Sequence, residues 1–202
     1  DGADHGDYQS VRVTHPNIVY LNEWIGLSFQ HNAMMRVFGT PDFIIAFPPC
    51  TDLAVSGSRH FAAKRERDPD FQKKAVETAK IAANIADRFN VPYMIENPVS
   101  VLSSMWRQPD FIFHPCAFGG LLPEDDKHPH FPEIIPARDA YTKKTCLWTG
   151  NGFVMPNTNA VLPTGNNNPG WQKLGGKSKR TKLIRSLTPR GFALAVCMAN
   201  QK

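Results

Sequence analysis

Nowhere in these 202 residues does an apolar stretch reach the roughly eighteen residues that a bilayer-spanning helix needs, and no signal-peptide pattern opens the chain. Cysteine is scarce: Cys50, Cys116, Cys146 and Cys197 stand far apart with no CxxC pair. That spacing excludes a disulfide scaffold and a finger-type zinc site, and it fits a reduced intracellular protein. No internal repeat is present. Acid is missing from one segment altogether: between Lys173 and Arg190 lie seven basic residues (Lys173, Lys177, Lys179, Arg180, Lys182, Arg185, Arg190) and no carboxylate. The other 16 of the 23 basic residues are outnumbered by 18 acids, so the net charge of +5 belongs to that segment. Its Gly175-Gly176 and Ser178 predict a basic loop at 165–187, and a phosphate backbone is the partner such a loop suits. With 42% hydrophobic residues the chain can bury a core, and its length predicts one domain over 1–202.

What the chain does have is an apolar run, Phe43-Ile44-Ile45-Ala46-Phe47, that ends in Pro48-Pro49-Cys50. Two prolines fix φ and cannot continue a ladder, so the run predicts a strand that releases a thiol in a rigid loop at its carboxyl edge. Open α/β sheets hold their ligands at that edge. A second run, Val91-Pro92-Tyr93-Met94-Ile95, ends in Glu96-Asn97-Pro98 and presents a carboxyl in the same manner. Between them Asp68 is the predicted N-cap and Pro69 the first residue of a helix. Phe71, Ala75, Thr78, Ala82, Ile85 and Phe89 recur at helical spacing along it, and Asn90 closes it. A strand-helix-strand unit of this kind makes a right-handed crossover with parallel strands, which brings Cys50 and Glu96 to one end of the sheet.

Elsewhere, Asn17-Ile18-Val19-Tyr20-Leu21 reads as an earlier strand and Thr145-Cys146-Leu147-Trp148-Thr149 as a later one, with Phe153-Val154-Met155 pairing nearby. Six prolines and Gly119-Gly120 mark residues 105–145 as a long insertion over the active edge, without a core of its own. Thr188-Pro189 caps a final amphipathic helix at 190–200. Cys146 and Cys197, within apolar runs, read as core residues. His114, Cys116, His128 and His130 lack usual metal-ligand spacing and read as loop residues, so no metal is assigned.

Taken together, Pro48-Pro49-Cys50 and Glu96-Asn97-Pro98, with a crossover helix between them, resemble the catalytic pair of the DNA cytosine-5 methyltransferases. The closing Thr188-Pro189-Arg190-Gly191-Phe192-Ala193 is similar to the C-terminal helix that packs beside the cofactor in that family. Lys144-Thr145-Cys146-Leu147-Trp148 is similar to the strand that follows the catalytic pair in short, phage-type members. The resemblance covers residues 42–200. It implies a Rossmann-like class I methyltransferase sheet with helices on both faces, in a bacterial or phage-infected cell.

The resemblance also implies roles. Cys50 would add to C6 of a flipped-out cytosine, Glu96 would protonate N3, and Asn97 would hold the carboxyl or the exocyclic amine. The methyl group would come from S-adenosylmethionine. The family's glycine-rich cofactor loop has no counterpart here, and the chain begins at Asp1 with neither Met nor a leading strand, so an N-terminally truncated domain is expected. Asp1 or Asp4 would then be the acid that binds the cofactor ribose, with Asn22, Glu23 and Pro48 edging its pocket. Lys143, Lys144 and Arg138, with Lys177, Lys179, Arg180 and Lys182, would meet DNA; neither a membrane nor an obligate protein partner is implied. Three other readings stay open. One is an exocyclic-amine methyltransferase, which wants an aromatic residue where Cys50 stands and a polar one where Phe47 stands. The others are a non-catalytic nucleic-acid-binding module and an enzyme acting on a free pyrimidine nucleotide.

Overall fold

Within the apolar run at 43–47 only Ile44–Ala46 pairs as a strand (β1) in the computed structural model of the chain, which describes residues 15–164, 174 and 178–201. The prolines end pairing at the carboxyl side, as their missing N–H groups require. Tyr93–Pro98 forms β2, Phe111–Phe113 β3 and Thr145–Gly150 β4. The sheet order is β1-β2-β4-β3. β1 runs parallel to β2, with Ile44 opposite Tyr93 and Ala46 opposite Ile95. β4 is antiparallel to both β2 and β3. The protein is therefore α/β with an open, mixed, four-stranded sheet. The predicted crossover is present, and its strands are parallel.

Several expectations shift. Residues 17–21 form no strand and are exposed, and Phe153-Val154-Met155 does not pair in the sheet. Val154 instead bonds through its backbone to the Asn200 side chain. β2 does not stop at Ile95, because antiparallel pairing with β4 carries the ladder through Asn97 opposite Cys146 and Pro98 opposite Thr145. Glu96 and Asn97 are strand residues for that reason.

The chain divides into two compact units: Asn22–Phe113 with Lys144–Phe153, and His114–Lys143 with Val154–Lys202 and Asp1–Leu21. The first holds the sheet. Its core joins Val76, Ala79, Ala82, Ala83 and Ala86 of α3 (Phe71–Phe89) to Tyr93, Ile95, Cys146 and Trp148 of the strands. The buried face of α3 keeps Phe71, Ala82 and Ile85 of the predicted one, with Ala75 and Phe89 packed at its edge, and widens to take in Val76, Ala79, Ala83 and Ala86. Thr78 returns its hydroxyl to the Lys74 carbonyl at a half-exposed position, while small residues at 79, 83 and 86 let the helix lie close to the sheet. Asn90 ends α3 in the left-handed conformation (φ 52°), one that asparagine tolerates better than most residues. At the other end Asp70 takes the N-cap position and the Asp68 carboxylate accepts its N–H. Two shorter helices, α1 (Leu27–Met34) and α2 (Phe61–Arg67), precede α3, and α4 (Leu102–Met105) follows β2.

The second unit takes most of the proline-rich stretch. Residues 114–143 belong to it and contribute Ile134, Ile135 and Tyr141 to an apolar cluster with Leu174 and Ile184. The stretch thus builds a core rather than overlying one. Its helices are α5 (Lys179–Ser186) and α6 (Arg190–Asn200). The start of α6 explains the Thr-Pro-Arg-Gly-Phe run residue by residue. Pro189 at the N-cap has no side-chain acceptor to offer, and buried Asp139 supplies one from a distance, accepting the Gly191 N–H at 2.9 Å. The Arg190 guanidinium grips both carboxylate oxygens of Asp126. Phe192, fully buried, meets the Phe118 ring at 5.3 Å between centroids. Gly191 is required by space: a Cβ there would lie 2.4 Å from the Phe118 carbonyl oxygen. Cys197, expected in the core, is exposed on this helix, whereas Cys146 is buried as expected.

Gly191→Ala decides between two opposed effects. Alanine favours a helix over glycine by about 1 kcal/mol, but overpacking costs about 1–3 kcal/mol, more when backbone is what must move. We expect the thermal midpoint to fall, and calorimetry of the two proteins checks it.

Candidate functional site around Cys50

The expected thiol lies on a turn held from several directions. The Cys50 carbonyl accepts the N–H groups of Leu53 (3.1 Å) and Ala54 (2.8 Å), which closes the turn. Leu53, wholly buried, anchors it in the core. The Asn97 side-chain amide donates to the Pro48 carbonyl at 3.0 Å, two residues before the thiol. Beyond it, Ala54 bridges Ser100, Val55 N–H reaches the Val99 carbonyl, and Val101 N–H reaches the Leu53 carbonyl. The segments after β1 and β2 are thereby stitched into one surface at the carboxyl end of the parallel pair. Cys50 itself is exposed. The thiol is presented outward from a backbone that is tied down.

Glu96 and Asn97 follow each other on β2 and therefore stand on opposite faces of the sheet. Asn97 is 1% exposed, on the α3 side with Tyr93 and Ile95. Its Oδ1 is sealed from solvent and has no hydrogen-bond partner among the described residues. Glu96 is half-buried with Oε1 shielded from water. Burial raises the pKa of the neighbouring Cys146 thiol, Lys144 opposes the rise, and the Glu96 charge adds to it. Cys146 is in this way kept an inert core thiol, whereas Cys50 is offered to solvent.

At the opposite end the sheet is closed by Arg107, which pairs with Asp110 and donates to the Thr149 carbonyl at 2.7 Å. The Trp148 indole in turn donates to the Arg107 carbonyl.

Of the positions assigned to a cofactor, Asp1 and Asp4 lie outside the described residues. Asn22 and Glu23 are exposed on an irregular segment, and Pro48 has its carbonyl committed to Asn97. Among the described residues no strand precedes Ile44.

The basic segment is not a loop throughout. Lys177 is outside the described residues, but Lys179, Arg180, Lys182 and Arg185 ride on α5, whose N-cap Ser178 accepts the Thr181 N–H at 3.1 Å. Thr181, Leu183 and Ile184 are buried and the four basic side chains are exposed. The missed signal is the serine before Lys-Arg-Thr-Lys-Leu-Ile, a capped amphipathic turn hidden by the density of charge. Arg180 is engaged with Glu133 at 2.7 Å and lies over the Phe131 ring. The Lys143 ammonium donates to the Arg185 carbonyl, Lys144 is exposed, and the Arg138 guanidinium donates to the Gly119 carbonyl.

Among the described residues no group of three or more His, Cys, Asp or Glu side chains is placed to hold a metal ion, and no helix is long and apolar enough to cross a membrane. His128 does local work instead. Buried beside Phe131, it accepts the backbone N–H groups of His130 and Phe131 on Nδ1. Compared with protein-family models, with curated proteins and with solved structures, the chain matches none.

Burial, then the nearby Arg190 and His130 charges, lower the His128 pKa from 6.5 to about 4. As pH falls the unfolded chain takes up this proton first, so the stability His128 contributes is whole above pH 6.5 and declines from there towards about 4. We expect the thermal midpoint to drop between pH 7 and pH 5, and His128→Asn, which keeps an acceptor but cannot titrate, to show a smaller drop.

Proposed function

We propose that this chain carries the catalytic domain, or part of it, of a DNA cytosine-5 methyltransferase. One observation carries the reading: an exposed thiol on a turn pinned to the strand that bears Glu96 and Asn97, at the carboxyl end of a parallel pair. Cytosine C5 is a poor nucleophile. Addition of the Cys50 thiolate to C6, with a proton passing from the Glu96 carboxyl to N3, leaves the C4–C5 bond enamine-like and C5 electron-rich. C5 can then accept an electrophile; S-adenosylmethionine would supply a methyl group there. Loss of the C5 proton to water re-forms the C5–C6 double bond and expels the thiolate, and N3 returns its proton to the Glu96 carboxylate. The target base must leave the helix, since sulfur attacks perpendicular to the ring. Asn97, through Pro48, positions the thiol. The exposed face of α5 would track phosphates through Lys179 and Lys182.

Addition and release can be read without the methyl donor, because the C5 hydrogen exchanges with water each time the adduct forms and collapses. DNA tritiated at cytosine C5 is expected to release its label in the presence of this protein and not with Cys50→Ala. Glu96→Gln is expected to slow release about 10²-fold or more while leaving DNA affinity nearly unchanged. Tight DNA binding with no release would reassign the chain to a binding module.

For the interface, each phosphate that is no longer neutralised by a basic side chain flattens the salt dependence of binding by about 0.9 in the log–log slope. The double substitution Lys179→Ala/Lys182→Ala is therefore expected to reduce the slope by about 2. Arg180→Ala, whose charge already serves Glu133, is expected to leave the slope nearly as it was. Titrations at several salt concentrations measure both.

A further inference from the structure

We propose that Lys64 is a positioning residue for the Cys50 thiol. The two residues after the thiol are gripped by one ammonium group: Lys64 donates to the Thr51 carbonyl at 3.0 Å and to the Asp52 carboxylate. The reach is from α2 back across twelve and thirteen residues, unlike the Lys80–Glu77 pair within one helix turn. The Lys64 side chain is 30% exposed, and its ammonium lies 5.9 Å from the centre of the buried Phe71 ring. Phe71 packs edge-on against Phe61 of α2, which fixes α2 against α3 and so fixes where Lys64 starts. The Gln72 side chain adds a long hydrogen bond from α3 to the Asp52 carbonyl.

Cys50 is in this way braced on both sides. Asn97 holds the backbone before it and Lys64 the backbone after it, and the turn's own two N–H bonds to the Cys50 carbonyl lie between. A half-exposed ion pair contributes little to global stability. Its effect here is geometric: rotation about the Thr51 and Asp52 backbone swings the thiol, and displacement of a reacting atom by about 1 Å can cost on the order of 10²-fold in rate. A methionine side chain, similar in length, cannot donate to either acceptor, whereas arginine can donate to both.

The catalytic half of this proposal rests on the reading of Cys50 as nucleophile, so the experiment has two independent readouts on Lys64→Met and Lys64→Arg. The first is amide hydrogen exchange at Leu53 and Ala54, whose N–H groups close the Cys50 turn. Lys64→Met is expected to speed exchange there several-fold while α3 amides and the thermal midpoint hold, and Lys64→Arg to restore protection. The second is tritium release from cytosine C5, expected to fall about 10- to 100-fold in Lys64→Met with unchanged DNA affinity, and to recover in Lys64→Arg. Unchanged exchange at Leu53 and Ala54 in Lys64→Met overturns the brace, whatever the release rate. Faster exchange together with undiminished release would overturn Lys64 as a positioning residue. If the native protein releases no tritium while exchange responds as expected, the brace stands and the nucleophile reading falls.

Discussion

The hydrogen bond from the Asn97 amide to the Pro48 carbonyl is the constraint around which the sheet unit is arranged. Two consecutive prolines strip the chain of donors as it leaves β1, so the carbonyls there must find partners outside the ladder. Asn97 supplies one from a position that is 1% exposed, where its own amide donor would otherwise go unanswered at a cost of about 1–3 kcal/mol. It can do so only because β1 and β2 are parallel and in a register that sets Ala46 against Ile95. The bond thus converts a strand pairing into a fixed place for residue 50. It also explains why β2 runs on through Pro98: antiparallel pairing with β4 holds Asn97 in line and keeps its amide aimed at the neighbouring segment.

The same logic appears in the second unit with different residues. A proline at the N-cap of α6 leaves the first amides of the helix without a local acceptor. Asp139 takes up the Gly191 N–H from a separate segment, although its burial raises its pKa and so works against the charged form. Burial also acts against ionised Asp126, but the Arg190 fork and the Arg138 N–H outweigh it and its pKa is lowered. A surface of fixed charge results on one side, on α5, and a neutral, buried histidine holds a turn nearby. Charges are exposed on α5 and paired or neutralised where packing is dense.

How much of this is legible in the sequence depends on the range of the cause. The crossover is legible because its signals are local: an apolar run, a helical period, an asparagine stop and a second run. The start of α3 lies two residues beyond its expected place and its buried face is wider than the expected one, since alanines pack as well as larger residues when a sheet lies close. The segment at 17–21 has strand-like residues yet no partner strand among the described residues, and β-propensity without a ladder does not make a strand. α5 is hidden because its cap and buried residues are few beside its charges. Cys197 departs from expectation because an apolar neighbourhood in sequence is not one in space.

Short-range physics in the chain was enough to settle that a thiol would follow a proline-terminated strand and that a helix would join that strand to a second, parallel one; that the second runs on through Glu96 and Asn97 was settled by its pairing with β4. Which groups hold the thiol in place was decided only by the fold. Asn97 lies 49 residues from Pro48, and Lys64 lies 13 from Thr51. Hydrogen-bond partners at such separations follow from register and helix packing, and neither is encoded in the identity of the residues that finally meet.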